Sequence, residues 1–173
     1  MKQSLRLVNE RDLPTIREWR NHPKINQYMF SQHLISEEEH KNWFDSSLNN
    51  ALRKMFIYEV DDSKLGFVQF QQRTTGLGVL EWGFYIGPHA ERGTGSRMAE
   101  LALEKAFQEL GALKVYGEVL PFNLPSIRLH ERFHFKLEGI LRQHHLLNEE
   151  YHDIHCYGQL KSEWIKSKRQ VKS

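Results

Sequence analysis

Apolar positions recur along this chain in two rhythms. Leu13, Ile16 and Trp19 fall at helical spacing behind Asp12, which predicts a capped helix with one buried face. It should stop near Asn21-His22-Pro23, because proline disfavours helix in the residue before it. Residues 22–35 read as irregular or short helix. Ser36 with Glu39 then forms a capping box, so a second helix should run to about Leu48. From there the rhythm shortens. Met55 to Val60, Leu65 to Gln72 and Val79 to Gly87 read as three consecutive strands joined by turns at 61–64 and 74–78, after a short first strand around Leu5, Leu7 and Val8.

The second half alternates. A helix from about Ser96 to Leu110 is broken by Gly111, and Lys114 to Leu120 is a strand ending at Pro121. Ser126 to Phe133 is helical. Phe135 to Leu147 and Tyr151 to Leu160 form a hairpin around Asn148-Glu149-Glu150, and a last helix begins near Lys161 and holds Trp164 and Ile165. A three-strand meander followed by helix, strand, helix and hairpin predicts an α/β chain with a mixed sheet and helices on both faces. Residues 1–165 read as one domain and 166–173 as a basic tail.

Composition narrows the class. The chain has 173 residues, 39% hydrophobic and 27% charged, as in ordinary globular proteins. A net charge of +2 gives no reason to expect a nucleic-acid partner. No stretch has the length and apolarity of a membrane span, and the N-terminus lacks the apolar core of a signal peptide. The single Cys156 rules out an internal disulfide, which suits a reducing, cytoplasmic setting. Oligomeric state stays open, a homodimer included.

The chemistry concentrates in Arg92-Gly93-Thr94-Gly95-Ser96-Arg97, where an extended segment enters a glycine turn and a helix follows. Glycines let backbone amides face inward, and a helix N-terminus adds unpaired N–H groups, so the turn suits a phosphate or pyrophosphate. No Gly-Lys-Ser/Thr follows, so it is not a Walker-type loop. His144, His145, His152, Asp153 and His155 cluster on the last hairpin, but neighbours on a strand face opposite ways and the five cannot converge on a metal, so none is expected.

With its element order, the chain resembles the Gcn5-related N-acetyltransferase superfamily. The turn is similar to that family's Arg/Gln-x-x-Gly-x-Gly/Ala motif, with Arg97 standing where a small residue is usual. Asn123-Leu124-Pro125-Ser126-Ile127-Arg128-Leu129-His130-Glu131-Arg132-Phe133-His134-Phe135 resembles its Asn-x-x-Ala/Ser segment, with His134 at the usual glycine. The resemblance implies a twisted, mostly antiparallel sheet of about seven strands, and acetyl-CoA as cosubstrate with no metal. It implies that Arg92, Gly93, Thr94, Gly95, Ser96 and Arg97 bind the CoA pyrophosphate, while backbone groups of Phe84, Tyr85 and Ile86 bind the pantetheine arm. Plain strand geometry and core packing are the alternative for these residues. Asn123 and Ser126 would contact the pantetheine or simply cap their helix.

The resemblance places His130 where that family often has a tyrosine that protonates the departing thiolate, so it is a candidate acid, or else a half-buried structural histidine. Glu81 or Glu118 is a candidate base; Glu81 shares a sheet face with Gly83 and Tyr85. Arg20-Asn21-His22-Pro23 and Glu81-x-Gly83-x-Tyr85 look like the signature of pseudaminic-acid pathway acetyltransferases, which acetylate the 4-amino group of UDP-4-amino-4,6-dideoxy-N-acetyl-altrosamine on the route to flagellin glycosylation. On that resemblance Arg20, Asn21, His22, Met29, Phe30 and Tyr85 would bind a UDP-aminosugar, Arg20 taking the diphosphate and the aromatic or thioether surface a ring. The alternatives are helix capping by Arg20 with Met29 and Phe30 in the core, a ribosomal-protein N-terminal acetyltransferase, and a non-catalytic acyl-CoA-binding module.

Overall fold

A computed structural model describes residues 1–72 and 78–170. The expected turn at 74–78 lies mostly outside these. The elements are β1 (Gln3–Leu7), α1 (Leu13–Asn21), α2 (Pro23–Asn26), α3 (Glu37–Leu48), β2 (Arg53–Val60), β3 (Ser63–Gln72), β4 (Val79–Ile86), α4 (Thr94–Glu104), β5 (Lys114–Val119), α5 (Leu124–Arg132), β6 (Lys136–Leu147), β7 (Glu150–Leu160) and α6 (Lys161–Gln170). The α/β mixed sheet is as expected: seven strands in the order β1-β2-β3-β4-β5-β7-β6, antiparallel except for β4 against β5. No described helix is long and apolar enough to cross a membrane.

Strand alternation divides the core in two. Phe56 and Tyr58 of β2 and Val68 and Phe70 of β3 pack with Met98, Ala102 and Leu103 of α4 and with Trp164 of α6. Met55, Ile57 and Phe67 point the other way and pack with Ile16 and Trp19 of α1, Ile25 of α2 and Phe44 of α3. Period-two strands between amphipathic helices therefore bury both sheet faces.

Several boundaries differ from expectation, each for a local reason. Asp12 makes no side-chain cap for α1. Its fully buried carboxylate accepts from the Asn9 N–H at 2.9 Å and pairs with Arg6 and Lys64, which hold it well below the usual carboxylate range against the opposing effect of burial. Ser36 does cap α3, accepting from the Glu39 N–H at 3.1 Å. Helix α5 starts two residues early because Asn123 Oδ1 accepts from the Ser126 N–H at 3.2 Å. Two tight hairpins among the described residues turn on non-glycine pairs with positive φ, Asp61-Asp62 and Asn148-Glu149, the geometry that matches strand twist. Helix α6 continues to Gln170, past the point where the basic tail was expected to start.

Candidate active site

Strands β4 and β5 pair only over Val79–Lys114, Leu80–Val115 and Glu81–Tyr116. Beyond that point β4 stays with β3 as far as Ile86 and β5 stays with β7 as far as Val119. The two neighbours part, and a gap opens between Trp82–Ile86 and Gly117–Val119. Gly117 is needed there: a Cβ would lie 2.8 Å from His130 Nε2 and 2.9 Å from Trp82 Nε1. A cavity of about 610 Å³ runs from this gap across the sheet face under α1 and α3.

That cavity brings together Arg20, Met29, Phe30, Glu81, Phe84, Tyr85, Asn123, Ser126 and His130 of the residues expected from sequence, with Glu118 also in its wall. Glu81 stands at the last β4–β5 pair, where its Oε2 accepts from the Tyr116 hydroxyl at 3.1 Å. Tyr85 stacks on Phe67 at 5.1 Å, and burial raises its phenol pKa. Arg20 Nη2 donates to the Ser31 carbonyl, while Nη1 is sealed from solvent with no partner among the described residues. Burial lowers the Arg20 pKa, against the attraction of Tyr85 and Glu39.

Asn21 and His22 do not reach the cavity. The Asn21 carboxamide is spent on residue 35, donating to its carbonyl and accepting from its N–H, each at 2.8 Å. His22 caps α2 through Nδ1, which accepts from the Lys24 N–H at 3.2 Å. Arg-Asn-His-Pro therefore contributes one cavity residue, and the next two hold the loop around it.

His130 lines the cavity as expected from sequence, with its side chain almost wholly enclosed. It is 2% exposed and ringed by Trp82, Phe84, Phe135 and Tyr157. The Ser126 carbonyl, 2.8 Å from Nδ1, can only accept, and the Trp82 indole, 3.0 Å from Nε2, can only donate. The imidazole is thus neutral with its one proton on Nδ1. Burial pushes its pKa down to about 4, outweighing the backbone bond to Ser126. The one proton of the neutral ring is held by the Ser126 carbonyl.

The glycine turn sits at the N-terminus of α4, just past β4. Gly93 is the N-cap in the left-handed region (φ 91), with no side-chain cap and no acidic residue in the first turn. Arg97 folds back over this end: Nη2 donates to Thr94 Oγ1 at 3.1 Å, and Nε is sealed without a partner among the described residues. Arg132 donates to Ser96 Oγ at 2.9 Å. An uncapped helix start with guanidinium groups beside it fits a pyrophosphate, because a cation is unfavourable there unless an anion joins it.

The cavity also holds residues missed from sequence, among them His40, Trp43, Gln69 and Gln71. His40 stacks on Trp43 at 5.0 Å, and burial, then Arg17 and Arg20, lower its pKa. The one sequence signal for the glutamines is polar alternation in β3, where Gln69 and Gln71 interrupt an apolar strand. Two of the hairpin histidines serve other contacts: His145 Nε2 bonds the Phe30 carbonyl at 2.7 Å, and His152 meets Phe122 edge-on. Asp153 accepts from the Gln143 N–H at 2.8 Å.

A mixed sheet whose central parallel strands part above a cavity, beside a glycine-started helix, defines an acyl-CoA-dependent transferase. Residues 4–136 match the acetyltransferase (GNAT) domain family, and the chain belongs to that family. It is 28% identical to the acetyltransferase PseH of Campylobacter jejuni over 130 residues, 75% of this chain and 80% of that one. It is 24% identical to the spermidine N(1)-acetyltransferase of Escherichia coli K12 over 148 residues, 85% of this chain and 80% of that one. The fold matches a spermidine N-acetyltransferase from Vibrio cholerae, solved with CoA and spermine, at a TM-score of 0.86 and 24% identity, covering 94% of this chain and 98% of that one. The protein is an acetyl-CoA-dependent N-acetyltransferase.

Proposed function

We propose that the acceptor is the 4-amino group of a UDP-linked aminosugar. The observation that carries this reading is Arg20: a guanidinium in the cavity wall, weakened by burial, with one nitrogen sealed and unpaired among the described residues. A diphosphate in the cavity supplies the countercharge that this buried guanidinium lacks. Phe30 and Trp43 supply ring surface in the same wall. The PseH relative of Campylobacter jejuni supports the same choice. Cavity carboxylates Glu39, Glu81 and Glu118 favour a polyamine as the second reading.

Acetyl-CoA supplies the thioester. The amides and guanidinium groups from Arg92 to Arg97 hold its pyrophosphate, and the β4 backbone from Phe84 to Ile86 holds the pantetheine arm. The acceptor nitrogen attacks the thioester carbonyl; the C–N bond forms and the C–S bond breaks. Glu81, directly or through water, takes the amine proton. A thiol of pKa near 8.5 is an adequate leaving group, so the thiolate departs and is protonated by solvent. His130 takes no part in this proton transfer.

The test is thiol release from acetyl-CoA with UDP-4-amino-4,6-dideoxy-N-acetyl-altrosamine, spermidine and a free-N-terminus peptide offered separately. Turnover with the sugar nucleotide is expected. Turnover with spermidine or the peptide and none with the sugar would overturn the reading.

A further inference from the structure

Gln69 lies in the middle of the sheet face that floors the cavity. The register Phe67–Tyr85, Gln69–Gly83 and Gln71–Glu81 puts these six residues on one face. Gln71 is engaged, accepting from Arg53 Nε at 2.7 Å, and Glu81 accepts from Tyr116. Phe67 and Tyr85 stack on each other. Gln69 differs: Oε1 is sealed from solvent, and its carboxamide has no hydrogen bond among the described residues. Its side chain lies across Gly83, with Nε2 3.3 Å and Cγ 3.6 Å from where a Cβ would stand. The missing side chain at residue 83 makes the slot that the carboxamide occupies, one register step from Glu81.

An unpaired polar group under a cavity carries a desolvation cost that folding does not recover. A ligand that pairs with it recovers that cost on binding.

We propose that Gln69 is an acceptor-recognition residue. On acceptor binding the terminal amide turns to bring Oε1 to the cavity, so that the carboxamide donates one hydrogen bond and accepts another from a polar group flanking the amine to be acetylated. A sugar ring with a hydroxyl or acetamido group beside its amine offers both partners. An aliphatic polyamine offers N–H donors separated by methylenes and satisfies only the carbonyl end. The proposal rests on the acceptor occupying this cavity, as above, and adds the feature that separates the two acceptor classes.

The experiment compares Gln69→Leu with wild type in acetyl transfer to UDP-4-amino-4,6-dideoxy-N-acetyl-altrosamine, and in thermal unfolding without substrates. Leucine removes both polar atoms at similar volume. The acceptor KM should rise about tenfold, equivalent to about 1.4 kcal/mol, with the acetyl-CoA KM unchanged and Tm equal or higher. Gln69→Asn keeps the carboxamide on a shorter stem and should fall between the two. An unchanged acceptor KM overturns the proposal, as does a joint rise in both KM values with a lower Tm, which marks a structural residue. Should wild type acetylate spermidine and not the sugar nucleotide, the acceptor reading fails. The same KM comparison with spermidine then judges Gln69: a rise in that KM alone keeps it as an acceptor residue, and no rise removes it.

Discussion

The indole N–H of Trp82 donates to Nε2 of His130 across 3.0 Å, tying the strand that borders the gap to the helix that closes it. With Nδ1 donating to Ser126, the imidazole is neutral and saturated. Its place in the motif suggests an acid, whereas these surroundings support the structural role proposed for it above.

That assignment has a pH signature. The folded-state pKa of His130, about 4, lies below the ordinary 6.5. Between those values the unfolded chain binds more protons, so stability rises with pH through this window and is lost as pH falls through it. The loss approaches about 3 kcal/mol on the acid side, at 1.36 kcal/mol per pKa unit. His130→Gln keeps an acceptor for Trp82, should flatten this dependence in urea unfolding from pH 4 to 7, and should leave kcat at neutral pH within about threefold, well short of what removing a general acid costs. A loss of about a hundredfold in kcat with folding intact would restore the acid role.

Arg20→Ala separates the two substrates. The acceptor KM should rise strongly while the acetyl-CoA KM holds, because Arg20, near the end of α1, lines the cavity wall, which includes no residue of the α4 N-terminus. Steady-state kinetics with each substrate varied in turn decides it; equal effects on both would count against an acceptor contact.

Arg97 tests the other end. A cation in the first turn of α4 opposes the helix dipole by about 0.3–1 kcal/mol, so Arg97→Ala should leave unliganded stability unchanged or slightly raised. The acetyl-CoA KM should rise about tenfold, the cost of one charge-assisted hydrogen bond, and depend less steeply on salt. Measuring that KM at low and high ionic strength checks both; an unchanged KM removes the phosphate contact.

His134 takes φ 62 just after α5, the left-handed position where the family motif has glycine. A side chain there costs about 1–2 kcal/mol. His134→Gly should therefore stabilise the protein, by about 1 kcal/mol after the entropy that glycine adds to the unfolded chain. The residue is exposed, so little packing is lost. Urea midpoints of the two forms give the answer.

Much of the fold was legible in residue order. Alternation marks β2, β3 and β4, Ser36 marks the start of α3, and Arg92 to Arg97 marks the entry to α4. Each signal is carried by residues close in sequence, where period and capping act directly. Boundaries moved where a side chain chose a nearby partner, as Asp12 chose Arg6 and Lys64 over the α1 cap.

The site was legible only in part. Sequence alone singled out Arg20, Glu81, Tyr85, Asn123, Ser126 and His130, and the fold brings all six to one cavity. Sequence could not tell that Asn21 and His22 turn inward to their own loop, or that Gln69 and His40 face the cavity. Those outcomes depend on where β4 leaves β5 and which strand face lies under α3, contacts made between residues far apart in the chain. Motif position carries residue type, but burial and hydrogen-bond partners set protonation, and only the tertiary structure supplies them. His130 is the plainest case: its place in the motif reads as an acid, and the packed aromatic ring around it leaves it neutral.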